Sequence, residues 1–327
     1  MRGTAGGMSI PPDDPRLMPI SLRAELLAIG HTDRSIRHAL RAGSLARIRH
    51  GAYADGPTWT GQREETQYAV RSRAALLQSR TDVVLSHTSA LPFLDAPVWG
   101  LGLDEVHLTR RDERSGRRES GVRQHGGVLL DDDVVRVHGI DVVSPIRAIL
   151  EVASIGSVEA TLVVANHFLH HGECTVEVLE DRYRGSMERW PGSLRTDLAL
   201  RLVDPRIESV GETRLSYLLW REHFPRPVSQ FEVYDGEDLV AQLDFALPEL
   251  GVWIEFDGRV KYEKYRRPGE SIADVVVREK GRENRVCELT GWRCLRVTWA
   301  DLARPDLLAR RLRDLIDSVA RQRRAAR

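Results

Sequence analysis

The chain has 327 residues, 42% of them hydrophobic, enough for two or three domains with separate cores. Lys+Arg and Asp+Glu both total 48, so the net charge carries no sign of nucleic-acid affinity and any basic surface has to be local. The three cysteines form no CxxC pair, which excludes a zinc ribbon or disulfide framework by spacing, and no stretch approaches the roughly 18 apolar residues of a membrane span. We therefore expect a soluble, cytoplasmic protein with no membrane partner.

In chain order, residues 1–20 are Gly- and Pro-rich and read as a disordered tail. Residues 21–55 divide into helix, turn, helix and a tight hairpin. Ser21 is placed to cap the first helix, Gly30 ends it, Thr32 or Asp33 caps the second, and Gly43 stops that one. His50-Gly51 then joins two short strands. This is the pattern of a winged helix-turn-helix, and six arginines stand against two acids between residues 21 and 50. The second helix carries Arg34, Arg37 and Arg41, and the wing carries Arg47 and Arg49, all candidates for DNA phosphates.

Residues 56–204 read as an α+β middle region ending in helices. The elements are a helix over 64–78, a strand at 83–85, a helix begun by Ser86, a strand at 106–109, and two strands over 134–143 joined by His138-Gly139. Residues 110–121, RRDERSGRRESG, are too charged for a core and are expected as an exposed loop. Ser144-Pro145 opens a helix, and further helices span 158–169 and 175–187. His167, His170, His171 and Glu173 lie just before Gly172 or around it, and we read them as a solvated helix end.

After Asp204-Pro205 the order becomes helix (210–222), three strands (231–234, 239–246, 252–256), helix (272–289), strand (293–298) and helix (301–319). The fold class is thus an α+β winged-helix region with a helical middle, followed over 205–320 by an α/β domain of order αβββαβα, with a basic tail at 321–327. Asp244 falls near the end of one strand, and Glu255 and Asp257 share a face of the next, because side chains two apart in a strand point the same way. Carboxylates on a half-buried face are costly unless neutralised, and a hard divalent cation with oxygen ligands does that.

Residues 207–317 resemble the PD-(D/E)XK restriction-endonuclease-like superfamily, most closely proteins related to the very-short-patch mismatch repair endonuclease. The resemblance is carried by SVGETRLSYLL, QLDFALPE, VWIEFDGRVKY, REKGRENR and GWRCLRVTW. It implies a divalent-metal-dependent endonuclease hydrolysing DNA, with Asp244 and Glu255 holding Mg2+ or Mn2+, Glu212 joining them, and Asp257 standing where the motif has its lysine. Lys261 and Lys280 are the candidates to replace that lysine, and Arg278, Arg282 and Arg285 to meet phosphates. The mismatch enzyme's histidine motif is absent.

The amino-terminal third resembles the winged helix of AbiEi-type antitoxins through GHTDRSIRHALRAGSLARIRHGAYA, VVLSHTSALPFL and IDVVSPIRAIL. That resemblance implies DNA binding and an alternative function: a non-catalytic transcriptional regulator or antitoxin that uses a degenerate nuclease fold to bind DNA, a cognate toxin, or a second copy of itself.

Overall fold

The computed structural model describes residues 11, 13–187, 190, 193–258 and 272–325. It is a mixed α/β protein with three sheets, and it divides into two compact units, Met1–Val164 with Glu177–Leu198, and Ala165–Val176 with Ala199–Arg327.

In the first unit, α1 (Arg23–Ala28) and α2 (Asp33–Arg41) pack on a three-stranded sheet of order β1 (Ser21–Leu22), β3 (Ala52–Asp55), β2 (Leu45–Arg49). Leu26, Ile36 and Tyr53 form the small core beneath the helices. Thr32 caps α2, accepting from the Ser35 N–H at 3.1 Å. Ser21, expected to cap α1, instead pairs with Tyr53 in the sheet, and Glu25 reaches back to the Leu22 N–H at 2.8 Å. The expected disordered tail is held from Asp13 onwards. Pro15–Leu17 form a 3-10 turn, Met18 is buried, and Arg73 donates to the carbonyls of Arg16 and Met18.

The same unit holds a six-stranded sheet of order β6-β7-β5-β4-β9-β8, built from β4 (Val83–Leu85), β5 (Val106–Arg110), β6 (Arg117–Glu119), β7 (Val122–His125), β8 (Val134–Val137) and β9 (Ile140–Val143). Two expectations are corrected here. The charged 110–121 stretch is not all loop: Arg110 ends β5 and 117–119 form an exposed edge strand on β7, where charged side chains tolerate solvent on both faces. After Ser86 the chain makes two 3-10 turns, His87–Ser89 and Leu91–Leu94, rather than an α-helix, with His87 at φ 50° and Pro92 inside the second turn. Between the sheets run α3 (Gly56–Thr60) and α4 (Glu64–Leu77), and α5 (Pro145–Ile155) follows β9. The helices α6 (Val158–His170), α7 (Val176–Arg182), a π-turn at Tyr183–Met187 and α8 (Ser193–Leu202) complete the run before the last 120-odd residues.

The second unit carries α9 (Val210–Arg221), β10 (Val228–Asp235), β11 (Asp238–Leu247), β12 (Val252–Asp257), α10 (Ile272–Thr290), β13 (Arg293–Thr298), α11 (Trp299–Leu302) and α12 (Pro305–Ala325). Strands β10, β11 and β12 form an antiparallel meander, and β13 pairs with β12 in parallel, in the order β10-β11-β12-β13. Val252, Ile254 and Phe256 pack with Leu215 and Leu219 of α9 and Leu308 and Leu312 of α12. Trp253, fully buried, packs with Val233, Leu243 and Val286. The single final helix expected from 301 is two, because Pro305 cannot continue α11 and instead takes the first position of α12. The basic end is helical through Ala325 rather than a flexible tail, and among the described residues no helix is long and apolar enough to cross a membrane.

The contact between α9 and β12 is close enough to require glycine. A Cβ on Gly211 would lie 2.0 Å from the Phe256 ring. Gly211→Ala should therefore destabilise the carboxy-terminal unit by roughly 1–3 kcal/mol through overpacking, read as a lower denaturant midpoint at unchanged slope.

Candidate functional site

Three groups of polar side chains stand out. The first is the outer face of α2. Its apolar Ile36 is buried while Arg34, Arg37 and Arg41 are exposed, the arginines falling three and four residues apart and so on one side of the helix. Arg47 is exposed on β2. Arg49 is turned half inward, and burial draws its guanidinium pKa down. The helix face and Arg47 are thus presented to solvent together with their charges, while Arg49 is only partly available.

The second group is the set of acids in the carboxy-terminal unit. Asp244 and Glu255, at 8% and 6% exposure, lie on the neighbouring strands β11 and β12. Asp244 accepts a hydrogen bond at 2.7 Å from the N–H of Phe256, the residue after Glu255. Glu255 meets the Arg282 guanidinium of α10 at 3.4 Å, and Arg282 also holds Glu279 at 3.1 Å. Burial alone would lower the Arg282 pKa, but the two carboxylates outweigh it and raise it. Glu212 is buried but faces its own helix start, accepting from Ser209 Oγ at 2.7 Å, the Glu208 N–H at 3.1 Å and Gln230 Nε2 at 3.3 Å. Asp257 sits half-exposed at the end of β12, across from Thr298 of β13.

Asp244 and Glu255 thus lie on neighbouring strands, with Asp244 tied to β12 through the Phe256 N–H, whereas Glu212 accepts from its own helix start and from Gln230 of β10. Among the described residues, the four acids do not form a set of three donors within 4.8 Å of one another. As oxygen donors on adjacent strands, Asp244 and Glu255 suit a hard divalent cation as a pair. Of the basic candidates, Lys280 is exposed on α10, Arg278 is half-buried, and Arg285 is engaged by Asp235 and by Glu288. Lys261 lies outside the described residues.

The third group was not legible from the sequence. His87, His107 and His125 offer ring nitrogens that all lie within 4.8 Å of one another. The rings stack, with His87 and His125 at 3.7 Å between centroids and 18° between planes, and His107 Nδ1 lies 2.9 Å from His125 Nε2. His87 Nδ1 is 3.2 Å from Glu151 Oε2, whose other oxygen accepts from Arg147 Nε at 2.8 Å. Arg147 also reaches Asp133 at 3.2 Å, and Arg182 grips Asp133 at 2.6 Å. Burial first, then the neighbouring His87 and Arg123, holds His107 down to about 3; burial, His87 and His107 hold His125 down to about 2. Burial would raise Glu151, but pairing with His87 and Arg147 prevails and brings it from 4.5 to about 2.

Register explains the assembly. In the parallel β5–β7 pair His107 stands opposite Arg123 and Thr109 opposite His125, so all four project from one face of the sheet. Residues four apart on α5 bring Arg147 and Glu151 to the same place. The one readable signal was the alternation in VHLTR; without β7, His125 had no assigned direction.

No protein-family model matches the chain, and no curated protein matches it. Among solved structures, the crystal structure of the RV2827C protein from Mycobacterium tuberculosis is similar at a TM-score of 0.38 with 17% identity, over 67% of this chain and 84% of that one.

The depressed histidines set a pH dependence. An unfolded histidine takes up its proton near pH 6.5, whereas His107 and His125 do so only near 3 and 2. Between those limits the unfolded chain binds more protons, so stability is lost as pH falls below about 6.5, at up to ~1.4 kcal/mol per pH unit for each proton. Glu151 adds to the loss from about 4.5 to about 2. Thermal melting followed from pH 7.5 to 4.5 should show a falling midpoint, and His107→Asn should flatten that dependence.

Proposed function

We propose that this is a DNA-acting protein in which the amino-terminal winged helix binds duplex DNA and the carboxy-terminal unit is a restriction-endonuclease-like domain that hydrolyses a phosphodiester bond with a divalent metal. The observation that supports the reading is the sheet β10-β11-β12-β13, an antiparallel meander with a parallel fourth strand, which carries the buried Asp244 and Glu255 on its adjacent strands β11 and β12. Asp244 and Glu255 would hold Mg2+ or Mn2+, which when bound supplies polarisation of the phosphoryl oxygens and a more acidic water. Arg282, 3.4 Å from Glu255, would take the charge-compensating place that Asp257 leaves empty of lysine. In α2, the N–H groups of the first turn and Arg34, Arg37 and Arg41 would meet backbone phosphates, which fix orientation without reading sequence.

A second reading is favoured by one feature: Glu255 is already paired with the Arg282 guanidinium, a neutralisation that needs no metal. On that reading the domain is a non-catalytic platform in a regulator or antitoxin, with DNA, a cognate toxin or a second copy as partner.

The two are separated by incubating the purified chain with supercoiled plasmid in Mn2+ or Mg2+. We expect nicking or cleavage that Asp244→Ala and Glu255→Ala each abolish. Cleavage surviving both would remove the metal-site assignment, and no cleavage by the parent chain alongside tight DNA binding would favour the regulator. In binding assays, replacing Arg34, Arg37 or Arg41 by Ala should each lower the slope of log affinity against log salt by about 1, with similar loss on all DNA sequences.

A further inference from the structure

We propose that His87, His107 and His125 form a binding site for a divalent transition-metal ion of the zinc type, separate from the acidic pair and contained within the first unit. Three imidazoles are the donor set that a borderline-soft cation prefers, and three protein ligands with one position left over is the arrangement of an open zinc site. The three donors already converge within 4.8 Å although they come from a 3-10 turn and two different strands.

The surroundings are those of a metal site rather than of a packed core. Glu151 is fully buried, its Oε2 accepts from the His87 N–H at 2.9 Å and lies 3.2 Å from His87 Nδ1, and Ser86 Oγ lies 3.0 Å from the same ring nitrogen; with Nδ1 engaged on that side, Nε2 is the nitrogen left for a metal. A carboxylate holding the far nitrogen of a ligating histidine is the outer-sphere partner such sites use to fix ring orientation. Glu151 is itself held by Arg147, and Arg147 by Asp133, so the orientation is transmitted through side chains that are almost wholly buried. His87 keeps a left-handed backbone at φ 50°, a conformation that is unfavourable for a non-glycine residue and recurs at functional positions.

The fourth position is also provided for. His87 and His125 line a cavity of about 550 Å³ that Thr109, Arg123, Arg182 and Trp190 also border. Thr109 is 1% exposed, and its Oγ1 has no hydrogen-bond partner among the described residues, which is costly for a buried hydroxyl unless a ligand or a metal-bound water meets it. On metal binding, the hydrogen bond between His107 Nδ1 and His125 Nε2 gives way to two bonds to the ion, and the proton between them passes to the far ring nitrogen of the imidazole that carried it, so each ring stays neutral.

The test is metal titration of the full chain after chelator treatment, with Zn2+ by calorimetry and Co2+ by visible absorption. One equivalent should bind, with four-coordinate Co2+ bands and a raised melting midpoint. His107→Asn and His125→Asn should remove binding, Glu151→Gln should weaken it by about 10–100-fold, and Asp244→Ala with Glu255→Ala should leave it unchanged. Absence of stoichiometric binding by the parent chain overturns the site, as does binding that persists in both histidine variants or is lost in the acid variants. Should the histidine variants not fold, X-ray absorption of the Zn2+-loaded parent decides: a shell containing three imidazoles supports the site, and a shell of oxygen donors alone overturns it.

Discussion

A carboxylate buried in the middle of a strand that is apolar on both sides is the constraint around which the carboxy-terminal unit is arranged. Glu255 sits between Ile254 and Phe256, which face α9 and α12, and shares its strand with Trp253, buried among Val233, Leu243 and Val286. A lone charge there would cost several kcal/mol. Arg282 supplies the opposite charge from α10, and the same helix contributes Val286 to the Trp253 cluster, so electrostatics and packing fix one helix against one strand. Removing Arg282 would leave Glu255 buried without this counter-charge, whereas Arg282 keeps Glu279 if Glu255 is lost. The strand is therefore tied to its helix whether or not a metal enters.

The first unit solves the same problem with a longer chain of charges. Arg147 is inserted between Glu151 and Asp133, Arg182 closes on Asp133 from α7, and the Trp190 ring lies 4.6 Å from the Arg147 guanidinium carbon. Each carboxylate thus has a cation and each cation more than one acceptor, the condition under which buried ions hold geometry instead of destabilising it.

Much of the second unit was legible because its signals are local. Alternation in 252–257, the Asp235-Gly236 turn and Gly291 gave the strands, the hairpin and the start of the last strand to within a few residues. The acidic pair followed from the same pattern. What could not be read was how the groups are spent: that Glu212 turns to Ser209, or that Arg285 is taken by Asp235 some 50 residues away. In the first unit the sheet itself was partly hidden. Strand β6 is three exposed charged residues, and β7 pairs in parallel with β5 across an intervening stretch that reads as loop. The histidines were invisible for that reason, since His107 and His125 are 18 positions apart and only the β5–β7 pairing makes them neighbours.

That pairing has a consequence for how the sheet can fold. A slip of β7 by one residue would turn His125 and Arg123 to the opposite face and present Gln124 and Val122 to the imidazoles instead. A slip of two would put Arg123 opposite Thr109, in the place His125 holds, and carry His125 away from the other two rings. The stacked rings therefore act as a vernier for the edge of the sheet: only one alignment of β7 lets three imidazoles share a site, and an ion bound there would lock that alignment.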